Sequence, residues 1–142
     1  MVYKFYRLEN FLYRIKLIPL AIIVRALMRI IFSCDIPYKA VIGKGTTFPH
    51  LALGIVIHER AKIGSNCKIL QGVTIGGRAG YNEVPIIGNN VLVGANSTIM
   101  GPIKIGDNST IGAGSVVLHD VDEGDVVAGV PAKSIKKINR ER

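Results

Sequence analysis

The sequence predicts a β fold, a single-stranded parallel β-helix in which short strands and turns wind into stacked coils. A large aliphatic or aromatic residue recurs at every sixth position, a period that fits neither an α-helix nor a regular strand. A glycine follows many of these marker residues, which suits the corners of a coil. A small side chain stands two positions before many of them. The markers are Ile42, Phe48, Ile57, Ile63, Ile69, Ile75, Ile87, Val93, Ile99, Ile105, Ile111 and Val117.

Each six-residue unit contains one short strand and one turn, so three units close a triangular coil of about eighteen residues. The markers thus predict about four coils. One coil cannot bury its own row of aliphatic side chains, but stacked coils can. Each buried isoleucine then stabilises the fold by roughly 1.5–3 kcal/mol. A sandwich of antiparallel strands has turns of varying length, and it would not keep one phase from Ile57 to Val117.

The repeat is interrupted twice, and the interruptions divide the chain. Three extra residues stand between Phe48 and Ile57, and the polar, glycine-rich stretch 76–86 replaces a whole unit. Insertions in a solenoid form surface loops, which commonly carry function. We expect a basic amphipathic helical segment at 1–34, the β-helix with its loop 76–86 at 35–131, and a basic tail at 132–142.

Residues 1–33 follow helical periodicity, and Pro19 is expected to divide them into two helices. On a continuous helix, five basic residues would form one stripe, and Lys16 would lie outside that stripe. A wide apolar face beside such a stripe suits contact of residues 1–32 with an anionic membrane surface. A lid over one open end of the β-helix explains the same pattern. The stripe contains Lys4, Arg7, Arg14, Arg25 and Arg29.

Composition narrows the class of protein. The net charge of +8 lies at the two ends of the chain, so we expect no nucleic-acid-binding body. Cys34 and Cys67 are too few for a disulfide framework, and Cys67 falls on an inward small position, where we expect a buried thiol. No apolar run reaches the ~20 residues of a membrane span, and no signal-peptide cleavage pattern is present. We expect a cytoplasmic protein, with contact at the inner face of the membrane as an open alternative.

His50 lies in the first interruption, and Asp35 precedes it by fifteen residues, close to one coil. Coils stack about 4.8 Å apart, so Asp35 could accept the imidazole N–H and leave the other ring nitrogen as a general base. A structural Asp–His pair fits the same spacing. His58 occupies a corner position, where it either flanks a site or faces solvent. The spacing of these histidines and His119 predicts no metal site, and His119 has no evident partner.

Four segments of the chain carry a resemblance to a known family. They are DIPYKAVIGKGTTFPHLALGIVIHERAKIG, ILQGVTIGG, IGAGSVVL and AGVPAK, within residues 35–137. In this order and spacing they resemble the serine acetyltransferase branch of the hexapeptide-repeat acyltransferases. The resemblance implies a left-handed coil, a homotrimer with active sites between subunits, and acyl transfer from acetyl-CoA to a hydroxyl or amine.

The resemblance also implies roles for particular residues. Asp35 and His50 would form the catalytic dyad, in which His50 takes the proton of the acceptor hydroxyl and returns it to the coenzyme thiol. Lys133 would meet the coenzyme phosphates, with Lys136 as a second candidate. The remaining coenzyme positions would be Gly76, Gly77, Ala95 and Ala113. The acceptor would contact Glu59, Arg78, Tyr81 and Glu83.

Three positions depart from the family pattern. Val84 stands where the family has a serine-binding histidine, Pro49 where it has an acid, and Glu83 where it has an arginine. We therefore expect an O-acetyltransferase that uses a saccharide hydroxyl in surface-glycan biosynthesis. The alternatives are a serine O-acetyltransferase of cysteine biosynthesis and a non-catalytic trimeric scaffold.

Overall fold

The structure is a computed structural model that describes residues 1–135. Two helices, α1 (Val2–Arg14) and α2 (Ile18–Phe32), precede thirteen short strands. The strands are β1 (Val41–Ile42), β2 (Val56–Ile57), β3 (Lys62–Ile63), β4 (Lys68–Ile69), β5 (Thr74–Gly76), β6 (Ile86–Ile87), β7 (Leu92–Val93), β8 (Thr98–Met100), β9 (Lys104–Ile105), β10 (Thr110–Ile111), β11 (Val116–Val117), β12 (Val126–Gly129) and β13 (Ala132–Ser134).

The strands form the three faces of the predicted parallel β-helix. Their orders are β1-β3-β6-β9, β4-β7-β10-β12-β13 and β2-β5-β8-β11, and every pair is parallel except β12 with β13. Ile57 pairs with Ile75 and Ile75 with Ile99, so the longer step falls where loop 76–86 enters. Isolated bridges of Asp35, Thr47 and Val121 extend each face to five levels. The expected four coils were one too few, because the levels at Asp35, Val121 and β12 contain none of the twelve markers.

Burial confirms the repeat. All twelve markers are buried, as are the small side chains two positions before them, including the Cys67 thiol. Burial raises the pKa of the Cys67 thiol, and Cys34 is also a free, buried thiol, with a pKa of about 11. The inward row of alternating large and small side chains is therefore the core of the domain.

The glycines after the markers work differently from the expectation. None of the seven glycines that follow a marker has a positive φ; the left-handed corners belong instead to other glycines and to four asparagines. The seven are Gly43, Gly64, Gly76, Gly88, Gly94, Gly106 and Gly112. A Cβ on Gly94 would lie 2.5 Å from the Ala113 nitrogen, and one on Gly43 would lie 2.5 Å from the Gly64 carbonyl carbon. These glycines are needed because adjacent coils approach too closely for a side chain. The asparagines are Asn66, Asn90, Asn96 and Asn108.

Helix α1 covers one end of the β-helix, as the lid interpretation predicted. The Tyr6 hydroxyl donates to the Ala40 carbonyl at 2.7 Å and accepts from the Ile42 N–H at 3.2 Å. The Tyr3 hydroxyl donates to the Gly43 carbonyl at 3.0 Å. These bonds use backbone groups of the first coil that would otherwise be unpaired.

The chain breaks into two helices at residues 15–17, and Pro19 stands in the first turn of α2. The single basic stripe was therefore a wrong expectation, since it assumed one continuous helix. Arg25 instead turns toward Asp35. The outer side of α2, away from the buried Ala21, Met28 and Phe32, exposes large apolar side chains. No helix within residues 1–135 is long and apolar enough to cross a membrane. The exposed side chains are Ile18, Leu20, Ile22, Ile23, Leu27, Ile30 and Ile31.

The expected tail begins with ordered structure. Ala132–Ser134 forms β13, which pairs antiparallel with β12 and places Lys133 opposite Ala128. Residues 136–142, which include Lys136, lie outside the described residues.

Glu9 of α1 is fully buried, and neither carboxyl oxygen has a hydrogen-bond partner among the described residues. Burial raises its pKa from 4.5 to about 8; the nearby Arg25 partly opposes this shift and Asp35 adds to it. The buried carboxyl is thus mostly protonated at neutral pH.

Replacing Gly94 by alanine should destabilise the fold by about 1–3 kcal/mol, because the new methyl group meets backbone atoms of the next coil. Gly76→Ala is the matched control: Gly76 has the same position in its repeat, and its Cβ would meet only Thr74 at 3.8 Å. Urea denaturation would measure both. Equal midpoints for the two variants would contradict the close-approach explanation.

Glu9 predicts a pH dependence of stability. An unfolded chain ionises Glu9 near its ordinary pKa of 4.5, while the folded protein holds the proton until about 8. Stability is therefore full below pH 4.5 and falls by about 1.4 kcal/mol per pH unit up to pH 8. Glu9→Gln should remove this slope, as measured by urea denaturation from pH 4.5 to 8.5. Glu59→Gln controls for loss of an exposed negative charge; an unchanged slope in Glu9→Gln would refute the assignment.

Candidate active site

His50 lies in a strained turn at the first interruption of the repeat. His50, Leu51 and Ala52 all adopt left-handed backbone angles, with φ of 53°, 55° and 60°. Left-handed angles are costly for residues with a Cβ, and strain of this kind collects at functional sites. His50 and Leu51 are exposed, while Ala52 is buried. The turn therefore holds the imidazole outward on a backbone fixed by the core beneath it.

The turn starts a column of corners that runs down one edge of the β-helix. Gly72 N–H donates to the Leu53 backbone carbonyl at 2.8 Å. In the next two levels, Asn96 N–H donates to the backbone carbonyl of Gln71, and Gly114 N–H donates to that of Ala95. We call this column, with Ala113 below it, the corner edge. With about 4.8 Å between levels, it extends roughly 15 Å below the His50 turn.

Lys133 stands at the far end of the corner edge. Ile111 pairs with Val127, so β12 forms the next level of the corner edge. Lys133 pairs with Ala128 of that strand. Ala95 is half-buried, and Ala113 and Lys133 are exposed. The structure therefore aligns three of the five predicted coenzyme residues with His50.

Gly76 and Gly77 lie apart from that column. They follow β5 at the opposite edge of the β2-β5-β8-β11 face, where Gly101 N–H donates to the Gly76 carbonyl at 3.1 Å. Gly76 borders a shallow groove, as do Arg25, Thr74, His58 and Glu59. The two glycines and the corner edge thus flank one face.

Asp35 lies on that face, where it bridges to Val56. Its Oδ1 accepts from Arg25 Nε at 2.8 Å and lies 2.8 Å from a terminal nitrogen of the same guanidinium. Its Oδ2 lies 3.6 Å from a guanidinium nitrogen of the exposed Arg29. Within residues 1–135, no hydrogen bond joins Asp35 to His50; the carboxylate interacts with α2 instead.

The predicted acceptor residues are divided among separate surfaces of one chain. Glu59 pairs with Lys39 at 3.3 Å beside the groove that contains His58. Arg78 lies over the Tyr81 ring, 5.6 Å from its centroid, in a second depression with His119. Glu83 and Val84 border a third, beside Arg60 and Lys62. A single subunit therefore does not bring Glu59, Arg78, Tyr81 and Glu83 together.

His58 is half-buried, and its Nδ1 accepts the Arg60 N–H at 3.1 Å. It flanks the groove beside Arg25 and Gly76. Within the described part of the chain, no three His, Cys, Asp or Glu side chains form a cluster that could hold a metal ion.

The sequence did not predict a role in the site for two residues of this region. Arg25 was assigned to a basic stripe, yet it binds Asp35. Gln71 stands on the corner edge, and its Oε1 is buried with no hydrogen-bond partner among the described residues. A buried amide oxygen without a partner is uncommon and marks a place where a ligand N–H could bind. The ILQG motif contained Gln71, but the repeat alone gave it no role.

Comparisons with known proteins match both the repeat and the whole fold. Residues 85–119 match the family "Bacterial transferase hexapeptide (six repeats)". A serine acetyltransferase of Buchnera aphidicola subsp. Schizaphis graminum is 42% identical over 136 residues, which is 94% of this chain and 52% of that protein. A soybean serine acetyltransferase complexed with serine has a TM-score of 0.88 at 42% identity, over 94% of this chain and 56% of that one.

A further solved structure is described as a serine acetyltransferase in complex with CoA. It has a TM-score of 0.86 at 37% identity and covers 94% of this chain and 55% of that one. This chain spans about half the length of these relatives.

The fold and its repeat define a hexapeptide-repeat protein of the acyltransferase class, and the coil is the predicted left-handed parallel β-helix with a short N-terminal helical segment. Within this class the chain is similar to the serine acetyltransferase-like branch of the hexapeptide-repeat acyltransferases.

The comparisons correct one expectation. The saccharide acceptor was a wrong prediction, because relatives at 40–46% identity over most of the chain are serine acetyltransferases. The departures from the family pattern at Pro49, Glu83 and Val84 do not identify the acceptor. In one chain, two of these residues lie in a depression separate from the groove beside Asp35, so their identity alone does not decide what binds there.

The strain at the His50 turn can be tested at Leu51, which is 51% exposed. Leu51→Gly removes a left-handed cost of roughly 1–2 kcal/mol while loosening the unfolded chain by about 0.4–1 kcal/mol. A net gain of about 0.5–1 kcal/mol in stability is expected, measured by urea denaturation. Leu53→Gly is the control, because Leu53 is equally exposed but has a φ of −49°. Loss of stability in both variants would show that the turn is unstrained.

Proposed function

We propose that this protein is an acetyl-CoA-dependent serine O-acetyltransferase that acts in the cytoplasm in cysteine biosynthesis. The observation that carries the proposal is the exposed, strained His50 at the head of a corner edge that ends at Lys133. The serine acetyltransferases reported above support the acceptor, and the relative in complex with CoA supports the donor.

His50 is proposed as the general base and Asp35 as its partner in a catalytic dyad. His50 takes the proton of the serine hydroxyl while the serine oxygen bonds to the thioester carbonyl carbon. The carbon–sulfur bond then breaks, and the sulfur receives the proton back from His50. The products are O-acetylserine and coenzyme A. General base catalysis of this kind typically contributes 10²–10⁴-fold to the rate.

The corner edge is proposed as the coenzyme site. Ala95 and Ala113 present small side chains in successive levels, so an extended chain can lie close to the backbone between His50 and Lys133. Lys133 would meet the phosphates as an exposed cation. The buried Gln71 oxygen would accept an amide N–H of the pantetheine arm. Gly76 and Gly77 would line the other side of the same face.

The acceptor site is proposed to lie between subunits of a homotrimer. Glu59, Arg78, Tyr81 and Glu83 are divided among three surfaces of one chain, so they can serve one ligand only if neighbouring subunits bring them together. No residue of this proposal requires a metal.

The test is turnover by the purified full chain, followed as coenzyme A release from acetyl-CoA. Serine should support release, and a panel of saccharides should not. His50→Ala should lower kcat at least 100-fold, because the general base is lost. Arg7→Ala, a change at an exposed residue of α1 that the proposal gives no role, is the control and should retain turnover. Serine-dependent release at the parental rate by His50→Ala would refute the dyad.

Binding of acetyl-CoA separates the enzyme from the scaffold alternative. Acetyl-CoA at 100 times its Kd would stabilise the protein by about 2.7 kcal/mol and raise its melting temperature. Lys133→Ala should reduce that rise. A melting temperature that is unchanged by acetyl-CoA would favour a non-catalytic β-helix scaffold.

We also propose that the exposed apolar face of α2 contacts an anionic membrane surface. The face includes Ile22, Ile23 and Ile30, which are 52–78% exposed, and residues 1–32 carry six Lys or Arg against one Glu. An apolar helix face beside basic residues suits the boundary between headgroups and acyl chains.

The full chain should therefore co-sediment with vesicles that contain anionic phospholipid, and less so as salt is raised. Ile23→Ser with Ile30→Ser should weaken sedimentation. Leu92→Ser, an exposed apolar change on the β-helix, is the control. Equal sedimentation with purely zwitterionic vesicles, or by the double variant, would refute the membrane contact.

A further inference from the structure

The Asp35 carboxylate is bound asymmetrically by the N-terminal helices. Oδ1 receives two contacts from one guanidinium, Arg25 Nε and a terminal nitrogen, both at 2.8 Å. Among residues 1–135, Oδ2 has only the 3.6 Å approach of Arg29, whose side chain is 62% exposed. A carboxylate oxygen can accept more than one hydrogen bond, so Oδ2 retains the capacity to accept an imidazole N–H.

Arg25 is well placed to hold this carboxylate in one orientation. Its side chain is 31% exposed and that of Asp35 is 19% exposed, so the pair is more shielded from solvent than a typical surface ion pair. The planar guanidinium fixes direction as well as charge, because its Nε–H donates to Oδ1 while a terminal nitrogen lies 2.8 Å from the same oxygen. The Asp35 backbone is also fixed, since its N–H and carbonyl bond to Ile55 and Ile57.

We propose that Arg25 is a positioning residue of the active site, which binds Oδ1 of Asp35 and so directs Oδ2 to the His50 imidazole. This inference rests on the proposed Asp35–His50 dyad. It assigns the helical hairpin a role in the reaction beyond covering the end of the β-helix. Arg25 contacts Asp35 and touches no reacting atom, so it orients the carboxylate and adds a positive charge near the dyad.

Other charged or titratable groups face this pair from each neighbouring element. Glu9 of α1 is buried behind Arg25, and its raised pKa keeps it mostly neutral at pH 7, so it competes little with Asp35 for the guanidinium. In the described part of the chain these groups are Glu9 from α1, Arg29 from α2, Cys34 beside Asp35, and His58 and Glu59 after β2.

The charge of Arg25 gives the proposal a measurable signature at His50. A positive charge near the dyad disfavours the imidazolium form of His50, so its removal favours that form. Arg25→Gln should therefore move the titration midpoint of the His50 ring to higher pH, by roughly a few tenths of a pH unit. The acid limb of the kcat/KM profile should move in the same direction, because the base must be unprotonated.

The experiment compares Arg25→Gln, Arg25→Lys and Arg7→Gln in the full chain. Arg7 is an exposed arginine of α1, so its variant loses the same charge far from Asp35. Histidine NMR titration gives the His50 midpoint, with the signal assigned from His50→Gln, and serine-dependent coenzyme A release gives kcat and KM. Urea denaturation of each variant identifies any effect that comes from unfolding.

Support requires three results. Arg25→Gln lowers kcat about tenfold or more with little change in KM for acetyl-CoA and raises the His50 midpoint. Arg25→Lys restores the midpoint but only part of kcat, because an ammonium keeps the charge and loses the planar fork. Arg7→Gln matches the parent in both measurements.

An unchanged His50 midpoint in Arg25→Gln would overturn the proposal, as would equal losses of kcat in the glutamine and lysine variants. The NMR titration requires no turnover. A parent that releases no coenzyme A with serine would therefore refute the proposed function, while the midpoint would still decide whether Arg25 acts on the Asp35–His50 pair.

Discussion

The stacking distance between coils is the constraint on which the rest of this molecule depends. Each level bonds to the next through its backbone, so levels lie about 4.8 Å apart and successive corners fall in register. That spacing leaves no room for a Cβ at Gly94, whose nearest neighbours would be backbone atoms of the next coil. The same spacing brings residues that are far apart in sequence side by side along an edge, as it does for the proposed coenzyme residues Ala95 and Ala113.

A stack of this kind has two open ends, and the chain covers the first with helix α1. Tyr6 uses its hydroxyl as both donor and acceptor to the first coil, so the helix is held by the backbone that it protects. This attachment also brings α2 beside Asp35. The packing of the helices that covers the open end therefore also places Arg25 against Asp35. The buried Glu9 of α1 lies near both of these residues.

The sequence predicts most of the fold because its period is a direct consequence of the geometry. Every marker from Ile42 to Val117 is buried, and Pro19 stands at the start of the second helix. The number of levels was underestimated, since the turns at Asp35 and Val121 pair through backbone alone and carry no marker side chain. Glycine roles were misassigned because one residue type meets two different needs, left-handed φ and close approach.

The candidate site was harder to predict, because its partners come from outside the repeat. Position in the repeat placed Asp35 on the face that adjoins the His50 corner, but it carries no information on which side chain from another element reaches that carboxylate. Arg25 belongs to a helix whose orientation depends on the break at residues 15–17 and on the packing of α1 against the first coil. Arg25, which the helical periodicity assigned to a basic stripe, therefore contacts the candidate site because of how α2 is oriented. The six-residue period therefore determines the β-helix scaffold. The packing of the helical hairpin determines which side chain reaches Asp35, the proposed partner of the base His50.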